Sequence, residues 1–404
     1  MPGVRAPGSE RAARICHVTP HLPPDQSANA LLPFQLGSWA AEEGCPVTFI
    51  THPPRAGAIG TMPGAVTTVP RRGGRWLRPL RQLRSAADAL AIFQAAGPEL
   101  RSADLIHVHG NGLLAEVCGA LARRFGKPIV LTLYGTEIWH YRPRRFGLDL
   151  FTRLYRTADT VTFYSQSLLE RAVALGLDRP NLRTLYPPVA DTFFGAADQD
   201  RLAARARRGL GAREPILLNV KRLHPLAGQR YLIEALPRVL ARVPGTRLVI
   251  CGTGPLRGEL EALARDKGVA AHVTFTGLIE NDVIADYCRA ADLFVLPSLL
   301  EACPTVAVEA LAAGTPVVSA DHPGGVELHG LFGPDVTLVP KREAGALADA
   351  IIAGLEATRR TAPATCSVLR SRFSRAAVAR TYHEVYASVL GQPAWPADRR
   401  SETV

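Results

Sequence analysis

Short runs of strand-forming residues alternate with helical stretches along nearly all of this 404-residue chain, and the alternation breaks once. The runs include Ile15–Val18, Val47–Thr51, 104–107, 128–133 and Thr160–Phe163, and they resume with 215–220, Arg247–Cys251, 272–275, Leu293–Leu296 and 316–319. Helical patterns such as Leu113–Arg124, 232–243 and 255–267 lie between them. A strand that is apolar throughout is covered on both faces, and an intervening helix returns the chain so that the next strand runs parallel. The pattern predicts an α/β chain with parallel sheets. The break at 186–213 opens with Pro187-Pro188 and continues as a polar Ala/Asp/Arg segment, which reads as a hinge. A chain of this length tends to divide into domains. The expected division is 1–192 and 193–373, two Rossmann-like domains, with 374–404 a closing segment whose helix, Arg375–Leu390, packs back toward the first. Ligands of doubly wound sheets bind beyond the carboxyl ends of the strands, where the strand order reverses. Two such domains facing one another leave a cleft with a ligand seated on each side.

Composition narrows the function classes. The formal net charge is +11, which favours anionic partners such as diphosphates or anionic lipid heads. No nucleic-acid partner is expected. The densest basic patch, Arg71, Arg72, Arg75, Arg78, Arg81 and Arg84, is interleaved with Trp76, Leu77, Leu80 and Leu83. It reads either as a membrane-surface helix or as a solvated helix face, and Pro79 opposes one continuous helix. The seven cysteines are scattered without Cys-x-x-Cys spacing, so neither a disulfide framework nor a zinc site is indicated. Residues 1–14 lack the apolar core of a signal peptide, and the apolar runs are too short to cross a bilayer, so the expectation is a cytoplasmic protein. Asp198-Gln199-Asp200 spells Asp-x-Asp, but within the polar break and not after an apolar strand. It reads as solvated charge, and no catalytic metal and no cofactor are expected.

The most informative stretch follows the run Leu293–Leu296: Pro297-Ser298-Leu299-Leu300-Glu301-Ala302-Cys303-Pro304-Thr305-Val306-Ala307-Val308-Glu309-Ala310. Pro304 suits the first position of a helix, and the free N–H groups of Thr305 and Val306 would then face a phosphate. Glu309, a turn further in, can accept from ribose hydroxyls, and Glu301 can reach a sugar; ordinary capping is the alternative for both.

Glu301 and Glu309, with seven residues between them, resemble the Glu-x7-Glu signature of retaining glycosyltransferases of family 4. Further agreement lies in Ala291-Asp292, Ala313-Gly314-Thr315-Pro316-Val317-Val318, Gly324-Gly325, Cys251-Gly252-Thr253-Gly254-Pro255 and Val273-Thr274-Phe275-Thr276-Gly277. The resemblance implies the GT-B fold, with an N-terminal acceptor domain and a C-terminal nucleotide-sugar domain. It implies that Glu309 holds the ribose, Glu301 the donor sugar, and backbone groups near Gly277-Leu278 the base. Gly252, Gly254, Thr305, Val306 and Lys221 would complete the donor site. Arg222 matches the family's diphosphate arginine, whose planar fork suits that charge.

Three positions depart from the family pattern. The lysine usual five residues after that arginine is Ala227; Lys221 would point to the opposite side if the strand continued, and His224 is another substitute. The histidine usual before glycine in the N-terminal half is Tyr134, which donates a hydrogen bond but stays uncharged near neutral pH. The first loop reads Pro23-Pro24-Asp25-Gln26-Ser27-Ala28-Asn29-Ala30 where Gly-Gly is common.

Gly252-x-Gly254 after a strand also suggests a nicotinamide dehydrogenase, but Gly258 is one residue too far for the dinucleotide fingerprint and no acidic residue ends the next strand. A catalytically inactive sugar-nucleotide-binding protein is a further alternative. Within the family, the first loop and Val220-Lys221-Arg222-Leu223-His224-Pro225 resemble the UDP-N-acetylglucosamine-dependent enzymes of aminoglycoside assembly, of the kind that glycosylate ribostamycin. A lipid-linked acceptor is the competing expectation. A cationic acceptor needs local carboxylates against the basic field, and Asp25, Glu116, Glu137 and Asp149 are candidates. His107 and His109 read either as lining the cleft, His109 then touching the acceptor, or as structural histidines.

Overall fold

The computed structural model describes residues 11–25, 28–54, 57–70, 81–143, 149–195 and 198–394. The arginine-rich patch lies outside them, save for the backbone of 81–84. The chain forms two compact units, Met1–Leu185 with Ala379–Val404, and Tyr186–Val378.

Unit 1 is built on a seven-stranded sheet. Its strands are β1 (Ile15–Val18), β2 (Val47–Thr51), β3 (Ala65–Thr68), β4 (Leu105–His109), β5 (Ile129–Leu133), β6 (Thr160–Phe163) and β7 (Leu182–Thr184). Their spatial order is β3-β2-β1-β4-β5-β6-β7, every neighbouring pair parallel. Alternation along the strands separates two faces. Cys16, Val18, Ile106, Val108, Leu131, Leu133, Val161 and Phe163 join one apolar core with helices Arg81–Ser102, Leu113–Arg124 and Leu150–Thr157. The intervening residues His17, His107, His109, Thr132 and Thr162 face the other way and are fully buried. There Tyr386, on the helix Arg375–Leu390, meets His107 at 2.7 Å.

Unit 2 carries β8 (Ile216–Val220), β9 (Arg247–Cys251), β10 (Val273–Gly277), β11 (Leu293–Leu296), β12 (Val317–Ala320) and β13 (Val336–Val339). The order is β10-β9-β8-β11-β12-β13, again all parallel, with an apolar core on each face. The order reverses between β1 and β4 in unit 1 and between β8 and β11 in unit 2. Those are the places where a doubly wound sheet leaves room for a ligand beyond its strand ends.

The segment read as a hinge is a packed part of unit 2. It contains a short helical turn, Asp191–Phe193, and the helix Asp198–Arg207. Arg205 on that helix is 1% exposed. Its guanidinium donates to the carbonyls of Ala290, Gly211, Ala212 and Glu214 and pairs with Asp292 at 2.8 Å. A buried charge with every nitrogen engaged fixes its helix, because leaving such a group unpaired is costly. The chain therefore enters unit 2 at Tyr186, ahead of the 192/193 boundary read from sequence.

Candidate functional site

In unit 2 the candidate residues gather at the carboxyl ends of β8 and β11. Pro304 precedes the helix Thr305–Ala312 as its cap and is not its first residue, and the Thr305 N–H is taken by the Cys303 carbonyl at 3.0 Å. The Val306 N–H has no backbone acceptor among the described residues. It remains available to an anion at the positive end of the helix dipole. The Glu309 carboxylate has no hydrogen-bond partner among the described residues, and burial raises its pKa to about 7.

Lys221 stands just past the end of a strand. β8 ends at Val220, so the alternation of the strand no longer governs the next side chain. The Lys221 Nζ lies 2.7 Å from a Glu301 carboxylate oxygen. Ala227 is buried in a short helical turn, Pro225–Ala227, and His224 caps that turn by accepting from the Leu226 N–H. Lys221, and neither Ala227 nor His224, is thus the cation beside Glu301. Arg222 is exposed and has no acidic partner among the described residues.

The glycines explain why this loop sits where it does. A Cβ on Gly252 would lie 2.2 Å from the Lys221 carbonyl oxygen, and one on Gly254 would lie 2.2 Å from that of Leu223. The Lys221 and Leu223 N–H groups donate to the carbonyls of Cys251 and Thr253. Gly252-x-Gly254 therefore admits the backbone of 221–223, which accounts for the spacing without a dinucleotide turn. Gly252 and Gly254 position the cationic loop from behind. Leu278, following β10, is exposed.

Beside this cluster, the Gly324 N–H donates to the Glu301 carbonyl at 3.1 Å, which ties the start of helix Pro323–Phe332 to the Glu301 loop. His322 caps that helix by accepting from the Gly325 N–H at 2.9 Å. Burial, with Lys221 and Lys341 nearby, lowers its pKa to about 4, so it serves as a neutral acceptor.

In unit 1, Tyr134 follows β5, and its hydroxyl lies 2.7 Å from His109 Nδ1. His109 was read either as touching an acceptor or as a structural histidine. It is fully buried, and its other nitrogen lies 3.0 Å from His17 Nδ1, so it offers no free group to a ligand. Burial, with the neighbouring imidazoles, keeps His109 uncharged. Glu137 is 6% exposed, and one of its oxygens accepts from the N–H groups of Gly135 (2.8 Å) and Tyr134 (3.3 Å). Burial raises its pKa while those N–H groups oppose the rise. The carboxylate is thus committed to holding the Tyr134-Gly135 turn. Asp25 pairs with His21 at 2.8 Å. Glu116, Glu137 and Asp149 line one cavity of about 190 Å³ together with Asn111, His140 and Arg142. Asp149 also caps the helix Leu150–Thr157 through the Thr152 N–H. Sequence reading missed His17, whose partner stands 92 residues away.

Sequence comparison agrees with this two-part layout. Residues 34–193 match the family described as Glycosyltransferase Family 4, and residues 200–367 match that described as Glycosyl transferases group 1. The D-inositol 3-phosphate glycosyltransferase 2 of Catenulispora acidiphila is 34% identical over 310 residues, 70% of either chain. The chain is a family 4 glycosyltransferase. A GDP-mannose-dependent alpha-(1-6)-phosphatidylinositol monomannoside mannosyltransferase of Mycolicibacterium smegmatis is 37% identical over 243 residues, 58% of this glycosyltransferase and 62% of that protein. The 2-deoxystreptamine N-acetyl-D-glucosaminyltransferase of Streptomyces fradiae is 29% identical over 351 residues, 78% and 80% of the two chains. Among solved structures, Anabaena HepE in complex with UDP and glucose superposes with a TM-score of 0.71 at 23% identity, over 93% of this glycosyltransferase and all of that chain. That likeness supports the GT-B fold. No helix among the described residues is long and apolar enough to cross a membrane.

Proposed function

We propose that this glycosyltransferase transfers N-acetylglucosamine from UDP-N-acetylglucosamine, with retention of configuration, to a hydroxyl of a small aminocyclitol-bearing acceptor such as ribostamycin. The carrying observation is the cationic pair at the end of β8. Among the described residues Arg222 has no acidic partner and the Val306 N–H no backbone acceptor, and Lys221 is held at Glu301. Such a group is suited to a diphosphate whose charge grows as the sugar leaves. In the reaction, the bond from the anomeric carbon to the diphosphate oxygen breaks. The acceptor oxygen bonds to that carbon on the same face, and its proton passes to the departing diphosphate. The chain's task is to hold the two reactants in line and stabilise the leaving charge.

The sugar and acceptor rest on likeness and on charge. The Streptomyces fradiae relative aligns over more of the chain than the other two relatives. The three relatives' names share a cyclitol, inositol in two and 2-deoxystreptamine in the third. Carboxylates lining the cavity in unit 1 suit an amine-bearing ring. The test is incubation with UDP-N-acetylglucosamine or GDP-mannose and a panel of aminocyclitol, inositol phosphate and lipid-linked acceptors, read by mass. Transfer only from GDP-mannose, or only to lipid, would reject the proposal. Within the panel, Glu116→Gln should raise the KM for the aminocyclitol several-fold while leaving the donor KM in place, because it removes ground-state attraction. A neutral acceptor should be indifferent to it.

Metal dependence is a separate prediction. Asp198 and Asp200 begin the helix Asp198–Arg207 in unit 2 and are not at a strand end. Transfer should therefore survive EDTA. A loss restored by Mg²⁺ or Mn²⁺ would assign those carboxylates a role.

A further inference from the structure

The buried histidines of unit 1 form a hydrogen-bond wire with one loose end. Tyr134 meets His109 Nδ1 at 2.7 Å, and His109 Nε2 meets His17 Nδ1 at 3.0 Å. His17 Nε2 is fully buried and has no hydrogen-bond partner among the described residues. The face of the His17 ring stacks on Phe49, with ring centroids 5.4 Å apart. The Tyr134 hydroxyl has no other partner among the described residues, and Tyr134 is half-buried at the carboxyl end of β5.

Two neutral proton arrangements satisfy the wire. In the first, Tyr134 donates to His109, His109 donates to His17, and His17 Nε2 carries a hydrogen with nothing to receive it. In the second, His17 donates to His109, His109 donates to the Tyr134 oxygen, and His17 Nε2 is a bare lone pair. Buried N–H groups without acceptors are rarer than buried acceptors without donors, so the second is favoured. We propose that the His17–His109 pair fixes the direction of the Tyr134 hydroxyl, its oxygen accepting from His109 and its proton pointing to a substrate oxygen beyond the end of β5. His17 and His109 are then positioning residues, and Tyr134 is the group that touches substrate. The assignment rests on the transferase reading for the identity of that substrate, but the proton arrangement does not.

The ligating nitrogens of His17, His107 and His109 also lie within 4.8 Å of one another, a spacing a metal ion could use. Both nitrogens of His107 are already engaged, by the hydroxyls of Tyr386 and Thr132. With the wire intact, every nitrogen of the three except His17 Nε2 is in a hydrogen bond.

The test has two arms. Long-range nitrogen–proton NMR on protein carrying isotope-labelled histidine should show His17 and His109 both protonated at Nδ1, the minority tautomer of a free neutral imidazole. Assignment follows from the signals lost in His17→Asn and His109→Asn. Protonation of His17 at Nε2, or stoichiometric zinc in the purified protein, overturns the proposal. In the second arm, turnover of UDP-N-acetylglucosamine should fall at least tenfold in Tyr134→Phe and in His109→Leu. It should be largely retained in His109→Asn, whose amide N–H stands where Nδ1–H stood. A merely structural histidine predicts the reverse order, since leucine suits a buried site better than asparagine. If the parent protein turns over neither UDP-N-acetylglucosamine nor GDP-mannose, the transferase assignment fails while the tautomers still decide the wire.

Discussion

Arg222→Ala should lower kcat/KM for the nucleotide sugar by about 100-fold or more, a loss typical of removing one donor aimed at developing charge. The reason lies in the different electrostatic state of two adjacent cations. Lys221 is already neutralised by Glu301 at 2.7 Å, whereas Arg222 has no acidic partner among the described residues. In the proposed site, the uncompensated charge facing the leaving diphosphate would therefore come chiefly from the guanidinium. Arg222→Lys should recover only part of the loss, because an ammonium cannot reproduce the planar two-donor fork. Lys221→Met should behave differently: it strands Glu301 as an unpaired carboxylate near the diphosphate, so the donor KM should rise more than kcat falls. Steady-state kinetics with unfolding curves for each variant separate these outcomes. Near-parental turnover in a folded Arg222→Ala protein would remove Arg222 from the site.

Local signals carried most of what the sequence revealed. β8, β9 and β11 are buried apolar runs, and the Glu301–Glu309 stretch directly follows one of them, so strand, turn and helix start could be read together. β3, β7 and β13 did not stand out, because edge strands of three or four residues keep half their face exposed and need fewer apolar side chains. The 186–213 segment looked like a linker because it is polar. Its anchor, Arg205 against Asp292, depends on a residue 87 positions away. Lys221 and Glu301 are likewise distant in sequence, and only the end of β8 at Val220 frees Lys221 to turn toward Glu301. The two readings of His109 stayed open for the same reason. Its burial follows from the C-terminal helix covering that face of the sheet, and no local pattern in Leu105–His109 records it.

Glu309→Gln should abolish most donor binding and yet stabilise the folded protein at alkaline pH. Burial without a partner lifts the Glu309 pKa from its ordinary value of 4.5 to about 7. Because the folded-state value is raised, the stability this group contributes is fully present below about 4.5 and is lost as pH rises through about 7. Glutamine, which never ionises, escapes that loss. Wild type and Glu309→Gln should therefore melt at similar temperatures near pH 5, and the variant should melt higher at pH 8. Donor binding should have the opposite preference if Glu309 holds the ribose, since accepting from two hydroxyls needs the carboxylate. The wild-type kcat/KM for the donor should fall progressively below pH 7, approaching tenfold per unit, and that limb should vanish in the variant. Added UDP should raise the wild-type melting temperature more at pH 8 than at pH 6, since ligand stabilisation follows the fraction of ionised sites. A melting-temperature difference that does not change with pH would show that Glu309 is already paired and ionised in the free protein, and the ribose assignment would then lose its electrostatic basis.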